Sequence, residues 1–544
     1  MIYESFTQIM KNKFTILSKL ILIFFICSFS LFLNGQIQNY SLQTDRKVSI
    51  AELENGFTNP PSESCLRCYW WWLNSMATKE SITRDLEEMK AKGYGGASLV
   101  DAGSSNYLVA RETVAGPVFM SPEWMELYKH AVKEAERIGI ELSVNVQSGW
   151  NPGAPSITPE FALKKIVYSE IELQGGKSVS IELPQPESML MYRDVMVQAI
   201  RKPARELPVK DDAITNWSKK SFNEPMGWQG VYPLYELSEG FDNPMEGNVI
   251  KQNEIVDLTS NFDGRLLQWN APEGDWIVIR YGWSCTGAQT STSSDGWSGL
   301  SLDHLNPEAF RLFSNTVIEP LIKTAQSVGN SVKFLQTDSW EMGVVNWTNN
   351  FPAEFKRLRG YPIDKFMPVI TGRVVENQNV TNRFLHDLRK TVGDCVAENH
   401  YQLFYNLAHQ YGMGIHPESG GPHSAPVDAL RVMGISDFPQ GEFWAMANTH
   451  RISDAARLAV KQSACVAHTN GKRFVAAEGP TSIGPQWERS PKDLKSNLDR
   501  VFCSGVNRIV WHTFTSSPKE FGLPGNEYFA GTHLNPNVTW WQKD

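Results

Sequence analysis

Cysteine is scarce in these 544 residues. There are seven, and one of them, Cys27, lies in an apolar stretch near the start. The other six are Cys65, Cys68, Cys285, Cys395, Cys465 and Cys503, and only Cys65 and Cys68 are close together. So thin a scatter does not make a disulfide framework. The Cys-x-x-Cys pair also lacks a second half at zinc-site spacing, so most of the six read as small buried hydrophobes. Positive charge is in deficit as well: 51 Lys plus Arg face 59 Asp plus Glu, a formal net charge of −8. That is the wrong sign for a nucleic-acid partner, whose phosphates require a basic face. Gly-x-Ser-x-Gly before a helix is absent, which argues against an esterase elbow. His416, His423 and His512 have no His-Glu-x-x-His or comparable spacing, which argues against catalytic zinc. No glycine-rich loop follows the first expected strand, as a doubly wound nucleotide fold would require. Short-period repeats and low-complexity tracts are missing too.

Long apolar runs are limited to one. Leu20 to Leu33 follows Lys11, Lys13 and Lys19 and ends at Asn34-Gly35-Gln36. A basic start, an apolar middle and a small residue for cleavage read as a secretory signal over residues 1–36. A membrane anchor is the competing reading, but the run is short for a span of about 20 residues. Phe25-Ile26 ahead of Cys27 is a poor lipidation signal. The expectation is export to a periplasm or the outside, with no stable membrane insertion.

Tryptophan, in contrast, is abundant, with 18 residues. Its flat apolar face and single N–H suit the C–H faces and polar edges of sugar rings. Ordinary core packing accounts for roughly half of them.

From about residue 66, short apolar runs alternate with amphipathic stretches, the pattern of repeated strand–helix units. Expected strands are Cys68 to Leu73, Gly96 to Asp101, Ile140 to Gln147, Val332 to Ser339, Met413 to Glu418, Ser436 to Phe443, Arg473 to Glu478 and Asn507 to His512. Helical periodicity is expected over Thr78 to Lys92, Pro122 to Ile138, Pro307 to Val328, Thr381 to Tyr411, Asp454 to His468 and Pro491 to Ser504. Between the third and fourth strands, segments such as Lys177 to Leu183 and Trp276 to Trp283 alternate with turns and read as antiparallel β structure. The expected architecture is an α/β (β/α)₈ TIM-type barrel with a mostly β domain inserted after the third strand. The expected divisions are barrel over 37–160, the β-rich insertion over 161–295 and barrel again over 296–544.

Sites in such barrels form at the C-terminal strand ends. The polar and aromatic residues there are Asn74, Asp101, Asn145, Gln147, Trp150, Asp338, Trp340, Glu341, His416, Glu418, Glu442, Trp444, Glu478 and His512. Crowded carboxylates against tryptophan walls suit glycosidic cleavage, which needs one carboxylic acid and one carboxylate. Like-charge crowding and an apolar wall raise one carboxyl and keep it protonated as the acid. The expected catalytic groups are Glu341, Glu442 and Glu478. Trp71, Asp101, Asn145, Trp150, Asp338, Trp340, Glu418, Trp444 and His512 are expected to contact substrate. Each has a plainer reading: Glu341 as a helix cap, Glu418 holding a backbone turn, His512 as a hydrogen-bonding wall residue. In Trp70-Trp71-Trp72, alternate residues are expected to face the core and the helices. The same carboxylates could also hold a hard cation through oxygen ligands.

The runs YWWWLNSMATKESITRDLEEMKAKGYGGASLVDAG, QTDSWEMGVVNWTNNFPAEFKRLRGYP, PQGEFWA, VAAEGPTS, and GVNRIVWHTF followed by NPNVTWW resemble glycoside hydrolase family 106, the bacterial α-L-rhamnosidases. The resemblance covers roughly residues 55 to 544. It implies an inverting hydrolase of terminal α-L-rhamnose in polysaccharide, with calcium aiding substrate binding. By motif, Glu341 of DSWE matches the general acid. Glu442 of GEFW and Glu478 of AAEG match the remaining catalytic carboxylates, in unresolved order. Family members continue into β-sandwich domains, whereas this chain stops soon after Trp541, so either a truncated gene product or a shortened member is expected. Two further readings stay open: another barrel exo-glycosidase of galactosidase type, and a non-catalytic carbohydrate-binding protein.

Overall fold

A computed structural model describes residues 47–104, 115–203, 214–223, 249–343, 345–420, 426–446, 454–484 and 486–538. The expected secretory signal at 1–36, His423 and Trp541 lie outside the described residues. No described helix is long and apolar enough to cross a membrane.

Eight parallel strands form one curled sheet. In chain order they are Arg67–Leu73, Gly96–Ala102, Glu141–Ser148, Val332–Gln336, Gly414–Ile415, Gln440–Met446, Ala476–Ser482 and Arg508–Thr515. Their order in the sheet is fifth, fourth, third, second, first, eighth, seventh, sixth. The first strand therefore lies between the second and the eighth, as in a barrel-like sheet. Its two outer edges approach each other: the Asp437 N–H donates to the Ile415 carbonyl at 3.0 Å.

Local signals account for most elements. Thr78 and Ser81 form a reciprocal capping box at the start of the helix Lys79–Ala91, which buries Ile82, Leu86 and Met89 along one stripe. Ser121 caps the helix Pro122–Ile138, with Pro122 in its first turn, and Gly139 closes it at φ 69°. That left-handed conformation is costly for a residue with a Cβ. The expected helix from Pro307 is continuous but passes through a wider π turn at Ser314–Ile318, and a second π turn spans Ala397–Tyr401. A helix at Phe351–Arg359 had no counterpart in the sequence reading.

The strand-one tryptophans divide by pleat. Trp70 and Trp72 pack outward with Trp124 and Tyr128, while Tyr69, Trp71 and Leu73 point inward with Trp150 and Tyr528. Between the third and fourth strands lies a four-stranded antiparallel sheet, in the order Lys164–Gln174, Asp275–Cys285, Met189–Arg201, Val256–Asp257. A separate ribbon pairs Lys177–Glu182 with Leu266–Ala271. The inner face of the four-stranded sheet, through Ile166, Ile279 and Tyr281, shares a buried cluster with Trp340, Trp347, Phe351 and Phe384. Lys164 and Asp303 form a fully buried pair at 3.1 Å. The Lys164 ammonium also donates to the carbonyls of Glu160 and Ala162, so the buried charge is satisfied on all sides.

Asp85 is buried against strand one and accepts a hydrogen bond from Trp70 Nε1 at 3.1 Å. Burial pushes its carboxyl up to about 7, although hydrogen bonds and Arg84 pull the other way. The folded state therefore holds a proton that the unfolded chain has already released, and this contribution to stability falls as pH rises from about 4 to 7. Asp85→Asn is expected to remove that slope. In urea melts the variant should gain on wild type across this interval, and a constant difference between the two would contradict the assignment.

Candidate functional site

Carboxylates carried by three strand units meet. One oxygen from each of Asp338, Glu418 and Glu478 lies within 4.8 Å of the others. These residues follow the fourth strand, follow the fifth, and lie within the seventh. Asp338 is partly exposed, whereas Glu418 and Glu478 are buried. Burial, then the Glu418 charge, then that of Glu341, hold the Asp338 carboxyl well above the usual range. Glu341 stands beside this group. Ser291 donates to its Oε2 at 3.1 Å and Ser339 to its Oε1 at 3.5 Å.

Several strands run differently from their sequence boundaries. The sixth spans Gln440–Met446 rather than Ser436 to Phe443, and the seventh spans Ala476–Ser482 rather than ending at Glu478. Glu442 and Glu478 are therefore mid-strand neighbours in register, not strand-end residues. The fifth ladder is only Gly414–Ile415. Beyond it the chain still tracks its neighbour, with His416 N–H donating to Leu335 and Glu418 N–H to Thr337. Pro417 between them has no N–H to give. The eighth strand runs on past His512 to Thr515. His512 Nδ1 lies 3.3 Å from Glu478 and 2.6 Å from Thr481 Oγ1.

Aromatic rings pack together on the inner side of the first strand. Trp71 meets Trp150 at 5.1 Å, His512 at 4.6 Å and Tyr528 at 5.1 Å between ring centroids. Glu442 accepts the indole N–H of Trp444. Asn145 and Gln147 both donate to the Gly149 carbonyl, at 3.2 and 3.3 Å. Their side-chain oxygens are buried without a hydrogen-bond partner, as are Trp71 Nε1, Thr337 Oγ1 and Ser419 Oγ. Buried polar atoms are almost always satisfied. Five such atoms on and just beyond the first, third, fourth and fifth strands suit a polyhydroxylated ligand or ordered water.

Two expected contacts go elsewhere. Asp101 is fully buried and receives four donors: Ser75 at 2.5 Å, Ser148 at 2.5 Å, Ser294 at 2.6 Å and Trp124 Nε1 at 3.1 Å. With its lone pairs so occupied, it ties the second and third strands to the segment at 290–296 and offers nothing to a substrate. Trp340 turns its ring into the core against His304, at 5.0 Å, and donates to the Gly343 carbonyl. Its apolar faces are taken by packing.

Sequence reasoning missed several site residues. Ser291 and Ser294 belong to a Ser/Thr-rich strap whose backbone meets Gly103 and Trp150. The run Thr290-Ser291-Thr292-Ser293-Ser294 was its only signal. Tyr69, Gln336 and Gln440 reach the cluster from beneath, where nothing local in the sequence marks them.

The chain belongs to glycoside hydrolase family 106, described as alpha-L-rhamnosidase, which it matches over residues 58–544. A curated relative from Formosa agariphila, named "Putative beta-glucuronidase", is 34% identical over 501 residues, 91% of this chain and 40% of the relative. A solved rhamnosidase from Novosphingobium sp. PP1Y superposes with a TM-score of 0.74 at 25% identity, covering 91% of this chain and 59% of that one. The chain thus spans well under two thirds of either relative.

Asp101→Ala would orphan four buried donors and is expected to destabilise the protein by several kcal/mol, about 3–5. Its melting temperature should fall sharply. A variant with unchanged melting and only weakened substrate binding would contradict this structural role.

Proposed function

We propose that this chain is the catalytic part of an exported glycoside hydrolase that removes terminal α-L-rhamnosyl or related deoxy-sugar residues from polysaccharide with inversion. The observation that carries this reading is the meeting of Asp338, Glu418 and Glu478 within 4.8 Å, with Glu341 beside them. In this reading the eight-stranded sheet works as a closed (β/α)₈ barrel whose rim gathers the acids. Family membership and the rhamnosidase superposition support the substrate class.

Glu341 serves as general acid, protonating the leaving glycosidic oxygen. It is half-buried and oriented by two serine hydroxyls. Glu478 is the better candidate for the base, because it joins the carboxylate cluster and lies beside His512. Glu442 is instead engaged by Trp444. Inversion needs acid and base about 6.5–9.5 Å apart, with water between them. Trp71 and Trp150 supply the apolar face for the sugar ring, and the unsatisfied amide oxygens of Asn145 and Gln147 accept from its hydroxyls.

Calcium takes oxygen ligands at about 2.3–2.6 Å, so oxygens on opposite sides of it stand nearly 5 Å apart. The cluster's spacing and its all-oxygen donors fit such an ion. Asp338 and Glu418 would hold it, with Glu478 in reach. When bound it would neutralise the crowded charge and grip sugar hydroxyls.

Glu341→Gln is expected to lower turnover by about 10²- to 10⁴-fold with unchanged melting. Wild-type turnover in that variant would remove Glu341 as the acid. The purified protein should be screened on aryl α-L-rhamnosides and, given the curated relative's name, aryl β-glucuronides. Proton NMR of the first-formed anomer should show inversion, and retention would overturn the single-displacement mechanism. Chelation is expected to weaken substrate binding, and full activity in chelator would discard the calcium role alone.

A further inference from the structure

Beneath the carboxylates the sheet interior is polar where such barrels are usually filled by branched apolar side chains. Ser98, Ser143, Gln336, His416, Gln440 and Tyr69 are all at least nine-tenths buried, and all belong to hydrogen-bond chains that end on Glu418. We propose that Tyr69 and Gln440, backed by Gln336 and His416, are positioning residues that aim Glu418 into the site through two directional chains.

The direction of each chain follows from the chemistry of Glu418. A carboxylate only accepts, so the Gln440 atom 2.8 Å from Glu418 Oε1 is the amide nitrogen. The Gln440 oxygen then faces His416 Nδ1 at 3.0 Å, which requires a proton on that nitrogen. With that proton on Nδ1, Nε2 of the ring is the nitrogen left to accept from Ser143 Oγ at 2.8 Å. The second chain starts at Ser98, which donates to Gln336 Oε1 at 2.6 Å. Gln336 Nε2 donates to the Tyr69 hydroxyl at 2.6 Å, and so does Gln440 Nε2, also at 2.6 Å. With both lone pairs of that hydroxyl engaged, its single proton points to Glu418 Oε1, 3.0 Å away. Every donor in the two chains thus runs toward one carboxylate oxygen. The arrangement fixes the tautomer of a histidine whose ring does not touch the cluster.

The inference rests on the glycosidase reading only for what the aimed carboxylate does, so the test has two arms. In the first, ¹⁵N-histidine-labelled protein is examined by NMR, with the His416 signal identified by its loss in His416→Gln. The expected tautomer carries the proton on Nδ1, and a proton on Nε2 would overturn the proposal whether or not the protein is active. In the second, calcium binding is measured by titration calorimetry with the metal alone. Tyr69→Phe removes one donor to the anion and should weaken binding about tenfold without loss of melting temperature. Affinity within twofold of wild type in a folded variant would overturn the positioning role. If Tyr69→Phe does not fold, Gln440→Met reads the same loss and should also move the His416 proton to Nε2. If wild type binds no calcium, the cation assignment has failed and the relay stands or falls on the tautomer.

Discussion

Three carboxylates with oxygens inside 4.8 Å of one another repel strongly in a buried setting, and much of the interior follows from that crowding. Like charges this close stay together only if protons, a cation or fixed donors compensate them. The protein uses fixed donors: Tyr69 and Gln440 on Glu418, Thr481 holding His512 beside Glu478, and the Ser339 N–H on Asp338 at 2.8 Å. Burial and the neighbouring Glu418 and Glu341 charges hold the Asp338 carboxyl above its usual range, although the Ser339 N–H pulls the other way. A layer of leucines and valines beneath the rim would fill the same volume but supply no donors.

The same logic explains why the strap at 290–296 matters. It comes from the chain beyond the antiparallel sheet, yet it reaches both a structural anion and a proposed catalytic one. Ser294 donates to Asp101, while Ser291 donates to Glu341 and has its own backbone N–H held by Asn151 at 2.7 Å. Gly149, at φ 79°, lies against this strap so closely that a Cβ would meet the Ser291 carbonyl at 2.0 Å. The buried Lys164–Asp303 pair and the cluster around Trp340 and Phe351 anchor the other side of that sheet. The orientation of Glu341 is thus coupled to the packing of a sheet outside the parallel one.

Periodicity made the strand–helix rhythm legible, and pleat made the split of Trp70, Trp71 and Trp72 legible, because both are local properties of the chain. Helix starts were readable from Thr78 and Pro122 for the same reason. Boundaries slipped where polar interior residues interrupt the apolar pattern: the sixth strand runs through Gln440 and Glu442, and hydropathy alone places it too early. Asp101 looked like a site acid because it ends an apolar strand. What makes it structural are Ser148 and Ser294, distant in sequence and brought to it only by folding. Tyr69, Gln336 and Gln440 left no signal at all, since a tyrosine or glutamine in a strand reads as core or surface until its partner is known.

A carboxylate-rich rim needs residues of two kinds, and they tolerate change differently. In the proposed function, Glu341 and the open side-chain oxygens of Asn145 and Gln147 face the ligand. Groups whose hydrogen bonds all end within the protein, such as Asp101, belong to the scaffold, and their removal orphans buried partners. The expected contact residues therefore separate by where their hydrogen bonds end. The buried Trp71 N–H has no hydrogen-bond partner within the protein, whereas Trp340 spends its own on Gly343 and its ring on His304. Saturation of a strand-end polar group by internal donors marks it as scaffold, and a buried atom left open on the rim marks it as part of the site.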